Sequence, residues 1–415
     1  MEWNFDNVKY NGKDLDRVQV DGVTVWEKAK PKFYDYLQSV NGSAFINTGI
    51  IANDNTKIEF NAWSNCTGSF YFTGSRLGGT ASKIYFAVGG KQSNKDITLY
   101  VGDTDTAINL TRVNTGFSIN GWLQTNGNTT FSYYLNYENQ TFTDNNVPYS
   151  GSISYTIPIY IFSLDTARTI SQTTRLYSYK IWQNGVLVRD FIPCEYKGEY
   201  GLWDLVNNKF YGNDNSSGAF TVGSEIQYYN YLENDGVAYI DTGIKNIINC
   251  EFGAVAQQLE LLSGFPTILG ANDTNATYKV IFGYGATSSM FYSQTGGNSG
   301  WTRFIARDLN KHSMVAKIYA NSAEFTFDNT TYTARYANTN SINYPLYLFA
   351  RNSYGSVTSN TKQKVYSLYI IDNGVLIRDY KPCLYNGVAG LWDSVECKFY
   401  GNANNTGTLT VGNDE

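Results

Sequence analysis

The second half of the chain repeats the first at a constant offset of 189 residues. Segment 175–223 aligns without a gap with segment 364–412, and 28 of the 49 aligned positions are identical. A repeat of this length predicts two domains of the same fold in tandem. Each copy has roughly 190 residues, which is enough to enclose a hydrophobic core.

The similarity lies at the two ends of each copy. Residues 44–50 match 238–244 and residues 157–162 match 344–349, whereas the middles, at roughly 61–150 and 253–340, have diverged. The scaffold is therefore retained at both ends, and variation is concentrated between them.

The local sequence predicts β-strands and tight turns. Apolar and polar residues alternate from Tyr177 to Ile181, which is the period of a half-buried strand. Asn-Gly pairs at 184–185 and 373–374 then supply hairpin turns. The run at 157–162 is apolar on both faces, so it predicts a central strand covered on both sides.

Composition supports the same interpretation. Only 16% of residues are charged, 16% are aromatic and 35 are tyrosine, so the residue types of sheets and loops dominate. Many short strands with Gly and Asn turns are typical of a sandwich or jelly roll. The predicted fold is all-β, with tandem jelly-roll β-sandwiches at 31–223 and 226–412.

Residues 1–30 form a separate segment. Short strands at 8–10, 18–20 and 23–26, joined through Asn-Gly and Asp-Gly turns, predict a small β-meander. A sheet this small needs a further surface to cover its apolar face. That surface is either the first sandwich or another protein, and we expect another protein.

The repeated motifs resemble a known family. A YIDTGI-type motif near the start of each copy is followed by motifs of the types NGVLVRDFIPC, GLWDLVNNKFYGN and FTVG. These resemble the concanavalin A-like (laminin-G-like) lectin jelly-roll domains of phage and prophage virion proteins from gut bacteria, over about nine-tenths of the chain. The segment NVKYNGKDLDRVQVDGVTVWEK is similar to a short segment of phage virion and tail proteins.

The resemblance implies a fibre, tail or capsid-surface protein of a bacteriophage. Residues 1–30 would then contact other virion proteins, the sandwiches would be available for glycans, and an oligomer is expected. The N-terminus lacks the basic start and apolar stretch of a signal peptide. We therefore expect synthesis in a host cytoplasm and location in the virion.

Charge and hydropathy argue against two classes of partner. Lys and Arg number 31 against 36 Asp and Glu, which gives a net charge of −5. Without a basic cluster, nucleic acid and anionic membrane surfaces are not expected partners. No apolar run approaches the length of a membrane span, so membrane insertion is not expected either.

No cofactor is predicted. The five cysteines are widely spaced without a CxxC motif, which favours small buried hydrophobic residues over disulfides or a zinc site. The oxygen-rich segments 53–55 and 103–105 carry calcium-type ligands, but neither recurs in the other copy. Solvated turns are their expected role, and no metal ligand is assigned.

The chain offers little for catalysis. His312 is the single histidine and no GxSxG motif is present, so a surface histidine without a role is expected. The closely spaced carboxylates of glycosidases on this fold are also missing. We predict a non-enzymatic protein without catalytic residues, and an endoglycosidase is kept only because the fold permits it.

Several residues that recur in both copies are expected to hold the fold. The Arg-Asp dipeptides are interpreted as structural pairs that close a strand, and the two tryptophans as buried core residues. These residues are Arg189, Asp190 and Trp203 in the first copy, and Arg378, Asp379 and Trp392 in the second.

The divergent middles contain the candidates for carbohydrate binding. Sugar C–H faces stack on aromatic rings, while sugar hydroxyls need polar partners. For any one ring, core packing is the alternative role. The candidates are Trp122, Tyr133 and Tyr134 in the first copy, and Tyr284, Tyr292, Trp301 and Arg303 in the second.

Two functions fit these observations. The first is a virion protein whose lectin-like domains adhere to cell-surface or mucus glycans. The second is a purely structural capsid or tail decoration protein without glycan binding. Clustered aromatic residues on one exposed face favour the first function, and polar exposed faces favour the second.

The repeat predicts that each half folds independently. Residues 31–223 and 226–412, expressed separately, are expected to be soluble and to unfold cooperatively in urea, because each can enclose its own core. Halves that are soluble only when co-expressed would contradict this expectation.

Overall fold

In the computed structural model, every regular element of the described residues is a β-strand. The structure describes the chain except for residues 1–7, 11–12, 16, 21–22, 41, 66–69, 77–83, 91–96, 102–103, 109–115, 128, 138–139, 149–155, 165–172, 216, 246–247, 262–265, 274–278, 285–287, 296–297, 307, 320–321, 336–341, 405 and 415. The chain divides into two compact units, Met1–Glu225 and Ile226–Glu415.

Four short strands at the N-terminus pair as two antiparallel hairpins. They are β1 (Val8–Tyr10) with β2 (Lys13–Leu15), and β3 (Arg17–Val20) with β4 (Val23–Glu27). The three predicted strands are present. Lys13–Leu15 adds a fourth that pairs with β1, so the strands form two separate two-stranded sheets and not the single meander that the sequence predicted.

The strands of the first sandwich follow in chain order. They are β5 (Lys32–Tyr34), β6 (Leu37–Ser39), β7 (Ile46–Ile51), β8 (Thr56–Ser64), β9 (Phe70–Arg76), β10 (Ile84–Gly90), β11 (Ile97–Val101), β12 (Thr104–Ile108), β13 (Phe117–Asn126), β14 (Thr130–Tyr137), β15 (Gln140–Pro148), β16 (Pro158–Ile161), β17 (Thr174–Gln183), β18 (Val186–Tyr196), β19 (Glu199–Asp204), β20 (Lys209–Tyr211) and β21 (Phe220–Val222).

The second copy has the corresponding strands and two more, β34 and β35. They are β22 (Glu225–Tyr228), β23 (Tyr231–Asn234), β24 (Ile240–Asp241), β25 (Cys250–Gln258), β26 (Thr267–Asn272), β27 (Lys279–Tyr284), β28 (Ser288–Thr295), β29 (Asn298–Ala306), β30 (Lys311–Ile318), β31 (Ser322–Phe327), β32 (Thr330–Arg335), β33 (Tyr347–Leu348), β34 (Arg351–Ser353), β35 (Ser356–Thr358), β36 (Gln363–Asp372), β37 (Val375–Tyr385), β38 (Val388–Asp393), β39 (Lys398–Tyr400) and β40 (Leu409–Gly412).

Each copy folds into two sheets with the same strand order. In the first, a small sheet runs β12-β11-β10-β9-β16-β7 and a large sheet runs β15-β14-β13-β8-β17-β18-β19-β20. In the second, the small sheet runs β29-β28-β27-β26-β33-β24 and the large sheet β32-β31-β30-β25-β36-β37-β38-β39. The predicted fold class, all-β with tandem jelly-roll sandwiches, is confirmed.

The core of the first sandwich lies between its two sheets. Along β8 the burial alternates strictly, so Ile58 and Phe60 face inward. Phe60 stacks on Phe72 of the small sheet with ring centroids 5.9 Å apart. The predicted central strand β16 pairs with β7 on one side and β9 on the other, and Ile159 and Ile161 are buried.

Three of the cysteines are buried as expected. Burial raises the pKa of the Cys194, Cys250 and Cys383 thiols to about 12, so these thiols stay protonated and inert. Cys397 is half-buried, and Cys66 lies outside the described residues.

A buried arginine–aspartate contact recurs in both large sheets. Arg189 Nε lies 3.6 Å from Asp204 Oδ2, and Arg378 Nε lies 3.4 Å from Asp393 Oδ2. Each arginine therefore contacts the aspartate that follows the conserved tryptophan, rather than the aspartate next to it in sequence. The expected pairing within the Arg-Asp dipeptides is replaced by a contact between β18 and β19, and between β37 and β38.

The aspartates of these pairs also bind the backbone. Asp204 Oδ1 accepts hydrogen bonds from the backbone N–H groups of Asp190 and Val206. The same bonds run from Asp379 and Val395 to Asp393 Oδ1. One fully buried carboxylate thus holds a strand end and the following turn in each copy.

The side chains of the neighbouring aspartates have other partners. Asp190 Oδ2 lies 3.6 Å from Lys180 Nζ. Asp379 Oδ2 accepts a hydrogen bond from the Ser394 hydroxyl.

Burial raises the pKa of Asp393 to about 6, against the opposing effects of its backbone hydrogen bonds and of Arg378. The folded protein therefore binds a proton at Asp393 more tightly than the unfolded chain does. The resulting stability is complete below about pH 4 and is lost as the pH rises through about 6.

This predicts a pH-dependent difference between the wild type and Asp393→Asn. As the pH rises from 4 to 7, the wild type should lose up to about 3 kcal/mol of unfolding free energy relative to the variant, at 1.36 kcal/mol per pKa unit. Urea denaturation of both full-length proteins across this range measures the difference. A difference that does not change with pH would show that Asp393 titrates normally.

Candidate functional site

The outward face of the first large sheet is set by the alternation along β8. Lys57, Glu59, Asn61 and Trp63 are half-buried and point away from the core. We call the outward residues of β8, β13, β14 and β17, together with Tyr36 and Gln38 beside them, the tryptophan face. Register on the neighbouring strands determines which residues join it.

The first aromatic cluster on this face is built around Lys57. Its Nζ lies 5.3 Å from the ring centroid of Trp122 and 4.8 Å from that of Trp182, so a cation lies against both indoles. Glu59 lies 3.4 Å from the same ammonium group. Tyr134 stands directly opposite Trp122 on the next strand and extends the cluster.

A second aromatic cluster lies farther along β8. The guanidinium carbon of Arg175 is 4.4 Å from the ring centroid of Tyr36 and 4.6 Å from that of Trp63. Arg175 Nε also donates a 2.9 Å hydrogen bond to Gln38 Oε1. Tyr177 meets Tyr36 edge to face at 5.9 Å, so the cluster contains three rings around one planar cation.

A row of short polar side chains separates the two clusters. Asn61 pairs in register with Asn120 on one side and Ser178 on the other, and Asn120 pairs with Asn136. Glu59, which pairs with Trp122, lies four residues from Trp63 along β8, which corresponds to about 13 Å of extended strand. Amide and hydroxyl groups thus lie between two aromatic clusters on one sheet face.

The phenol oxygen of Tyr177 accepts a hydrogen bond from Arg175. Burial raises the pKa of Tyr177 above the ordinary value, although Arg175 acts in the opposite direction. The phenol is therefore neutral at physiological pH.

The structure separates the candidates of the first copy. Trp122 and Tyr134 lie on the tryptophan face, opposite each other. Tyr133 pairs in register with the buried Leu123 and packs against the core, with its ring 6.2 Å from that of Phe131. For Tyr133 the core-packing alternative holds.

The candidates of the second copy lie on the strands of its small sheet. Backbone register places Tyr292 opposite Trp301, Arg303 opposite Met290, and Tyr284 opposite Ser289. Their side chains lie outside the described part of the structure.

Sequence reasoning missed Trp63, Trp182, Arg175 and Tyr36. Trp182 belongs to the well-conserved end of the repeat, which was interpreted as scaffold. The available signal was the difference between the copies, because Ile371 stands where the first copy has Trp182.

The same face of the second unit has a different composition. Matching the strands by register, Val315 replaces Trp122, Ile371 replaces Trp182, and Gln257 replaces Trp63. Gly253 replaces Glu59, and the ring of Tyr369 lies against this glycine. The Tyr369 hydroxyl donates a 2.7 Å hydrogen bond to Glu251. The three tryptophans are thus specific to the first unit.

The conserved tryptophans differ in burial. Trp392 is buried, with 6% of its surface exposed, as expected. Trp203 is only half-buried, which departs from the expectation of a core residue.

His312 is not an isolated surface residue. Nε2 lies 2.8 Å from Asp308 Oδ1, Nδ1 lies 2.9 Å from Asp328 Oδ2, and the ring packs 4.5 Å from Phe327. Burial lowers the pKa of His312, but the two carboxylates outweigh it and raise the pKa above its ordinary value. The His312 ring thus links β30 to the carboxylates of Asp308 and Asp328, whereas a surface histidine without a role was expected.

The described residues contain no group of three His, Cys, Asp or Glu side chains suited to a metal ion. In the segment 53–55, Asn53 Oδ1 accepts hydrogen bonds from the Asn55 backbone and the Thr56 hydroxyl, as in an ordinary turn. Asp103 and the side chain of Asp105 lie outside the described residues. Within the described residues, no helix has the length and hydropathy needed to cross a membrane.

No protein-family model matches the chain, and no curated protein matches it. Among solved structures, domains LG4-5 of the mouse laminin alpha1 chain are 11% identical, over 83% of this chain and 92% of that one, with a TM-score of 0.29. The LG1-3 region of the laminin alpha2 chain is 9% identical, over 94% and 69%, with a TM-score of 0.31.

A structure of botulinum neurotoxin type C, whose cell entry depends upon interaction with two ganglioside molecules, is 11% identical, over 89% and 87%, with a TM-score of 0.24. At these identities and TM-scores, nothing about function follows for this chain.

Proposed function

We propose that the protein is a non-enzymatic adhesion protein of a bacteriophage virion, and that the tryptophan face of its first sandwich binds oligosaccharides. The observation that supports this most is the arrangement of two aromatic clusters on either side of an Asn and Ser row. Indole and phenol rings stack on the C–H faces of sugars. The amides between them pair with hydroxyls as both donors and acceptors.

The cations on this face also fit a sugar ligand. Lys57 lies against two indoles and Arg175 between two rings, so each is held in place by aromatic contacts. A side chain that is already ordered loses less conformational entropy when it binds a hydroxyl. The face therefore offers preorganised donors beside apolar platforms.

The two units would then have different roles. The second unit replaces the three tryptophans with Val315, Ile371 and Gln257, which leaves its face without indole platforms. We propose that it acts as a spacer or structural partner. Assembly as an oligomer would multiply weak sugar contacts through avidity.

The proposal predicts selective glycan binding by the first unit. The full-length protein should bind a subset of an array of cell-surface and mucus glycans. Trp122→Ala and Trp182→Ala should each weaken binding of the best array ligand about tenfold or more, measured by calorimetry, because each removes a stacking platform. The matched control is Ile371→Ala, at the position in the second unit that corresponds to Trp182, and it should leave affinity unchanged.

Stability measurements separate lost binding from lost folding. Both tryptophans are half-buried on the outer face, so their substitution should shift the melting temperature far less than Phe60→Ala, which opens a core cavity at a cost of about 3–5 kcal/mol. Folded tryptophan variants that bind as tightly as the wild type would remove the face from the site. An array without any ligand would favour the purely structural role.

The virion location rests on the resemblance of the repeats and of segment 7–28 to phage proteins. β1–β2 and β3–β4 are each two-stranded sheets, and an edge strand can pair with a partner's sheet. We propose that residues 1–30 attach the protein to other virion proteins.

Deleting residues 1–30 tests this attachment. Phage particles are purified from host cells in which the truncated gene replaces the wild-type gene. Mass spectrometry should not detect the truncated protein in these particles, although the protein is folded and soluble in the lysate. A truncated protein that is incorporated at the wild-type level would show that docking does not depend on this segment.

A further inference from the structure

A pocket of about 650 Å³ lies in the first unit, away from the residues of the tryptophan face. This volume is in the range of small-molecule sites. We call it the basic pocket. Its lining consists of Lys28, Ala29, Lys30, Pro31, Tyr196, Lys197, Trp203, Asn208, Lys209 and Phe210.

Three aromatic rings form one wall of the basic pocket. The Tyr196 ring centroid lies 5.3 Å from that of Trp203 and 5.6 Å from that of Phe210. Trp203 and Phe210 pair in register on neighbouring strands, so both project from the same face of the sheet. Trp203 is half-buried here, which leaves part of the indole accessible.

The second unit contains the same three rings, but its tryptophan is buried. Tyr385 lies 5.6 Å from Trp392 and 5.3 Å from Phe399. There Ile226 packs on Trp392 in a buried cluster that also includes Tyr228 and Cys397. These three rings, called the Tyr-Trp-Phe triad, are therefore present in both units. In the second unit, neighbouring apolar side chains cover the tryptophan of the triad.

Two positions next to these rings differ between the units. Strand β5 pairs with β18 as β22 pairs with β37, so Pro31 stands where the second unit has Ile226. Asn208 stands where it has Cys397. Both replacements remove apolar cover from the indole of Trp203.

The positive charge of the pocket lining indicates an anionic ligand. Four of the ten lining residues are lysines and none is a carboxylate. Lys209 Nζ lies 5.0 Å from the ring centroid of Tyr211, which packs against the core, so Lys28, Lys30 and Lys197 supply the charge of the pocket. Lys197 Nζ lies 5.4 Å from the Tyr196 ring centroid. In the second unit, Asn386 replaces Lys197, so this charge belongs to the opened copy. In a chain of net charge −5, such a pocket attracts anions locally.

We propose that the basic pocket is a second binding site, for a sugar ring that carries a carboxylate or sulfate. The C–H face of the ring stacks on Trp203, and Lys28, Lys30 and Lys197 hold the anionic group through charge-assisted hydrogen bonds. This site is independent of the tryptophan face. It does not rest on the glycan binding proposed above.

Calorimetry with three tetrasaccharides tests the proposal on the full-length protein. A hyaluronan tetrasaccharide carries carboxylates, a heparin-derived tetrasaccharide adds sulfates, and an N-acetylchitotetraose is neutral. At least one acidic probe should bind more tightly than the neutral one, and its binding should weaken as salt is raised. Equal affinity for the neutral probe, measured in a Trp122→Ala and Trp182→Ala double variant that removes the tryptophan face, would overturn the proposal.

Two kinds of variant locate the site. Lys30→Glu combined with Lys197→Glu, both on exposed side chains, should weaken acidic-probe binding about tenfold or more. Lys398→Glu, on an exposed lysine of the second unit, should have no effect. Pro31→Ile combined with Asn208→Cys restores the residues of the second unit and should block the pocket without changing its charge.

The outcomes separate this site from the proposed function. Trp122→Ala and Trp182→Ala should leave acidic-probe binding intact. If those variants abolish it while the pocket variants do not, the acidic sugar binds the tryptophan face and the pocket proposal is wrong. If inorganic sulfate binds as tightly as the tetrasaccharides, the pocket recognises an ion rather than a sugar, and the proposal is likewise wrong.

Discussion

The strict alternation of side chains along β8, in the middle of the large sheet, is the constraint on which the rest of the structure depends. In β8, Ile58 and Phe60 must face the core, so Lys57, Glu59 and Trp63 must face outward. A shift of register by one residue would exchange these two sets. The hydrophobic core therefore fixes which residues form the surface, and binding chemistry on the outward face can change without loss of the fold.

Comparison of the two copies shows which outward residues differ while the fold is kept. Both copies keep the Arg–Asp contact, the strand order and the Tyr-Trp-Phe triad. They differ at the outward positions of Trp63, Trp122 and Trp182 and at the cover over Trp203. Changing outward residues costs little core packing, whereas changing Phe60 would open a cavity of several kcal/mol. The first unit thus carries an aromatic face and a lysine-lined pocket at positions where the second unit has other residues.

The fold could be predicted because the sequence patterns that specify it lie within single strands and turns or recur in both copies. Period-two alternation and Asn-Gly turns marked β17 and β18, and the repeat extended each assignment to the second copy. The face of each aromatic residue could not be predicted in the same way. Tyr133 and Tyr134 are neighbours in sequence, but one packs against the core and the other lies opposite Trp122.

The missed part of the site depends on contacts between distant segments. Trp182 and Trp122 are 60 residues apart in the sequence and meet only because both flank Lys57 on β8. The opening over Trp203 likewise depends on Pro31, on another strand. Conservation between the copies identified Trp203 as scaffold, but the residue that covers or uncovers it lies far away in sequence.

The most direct test of the account is an NMR titration of the tryptophan indole N–H groups in the full-length protein with the best array glycan. The indole signals are assigned through single Trp→Phe variants. The signals of Trp63, Trp122 and Trp182 should shift together and saturate, while that of the buried Trp392 stays unchanged. If the glycan binds and these three signals do not move, the tryptophan face is not the carbohydrate site.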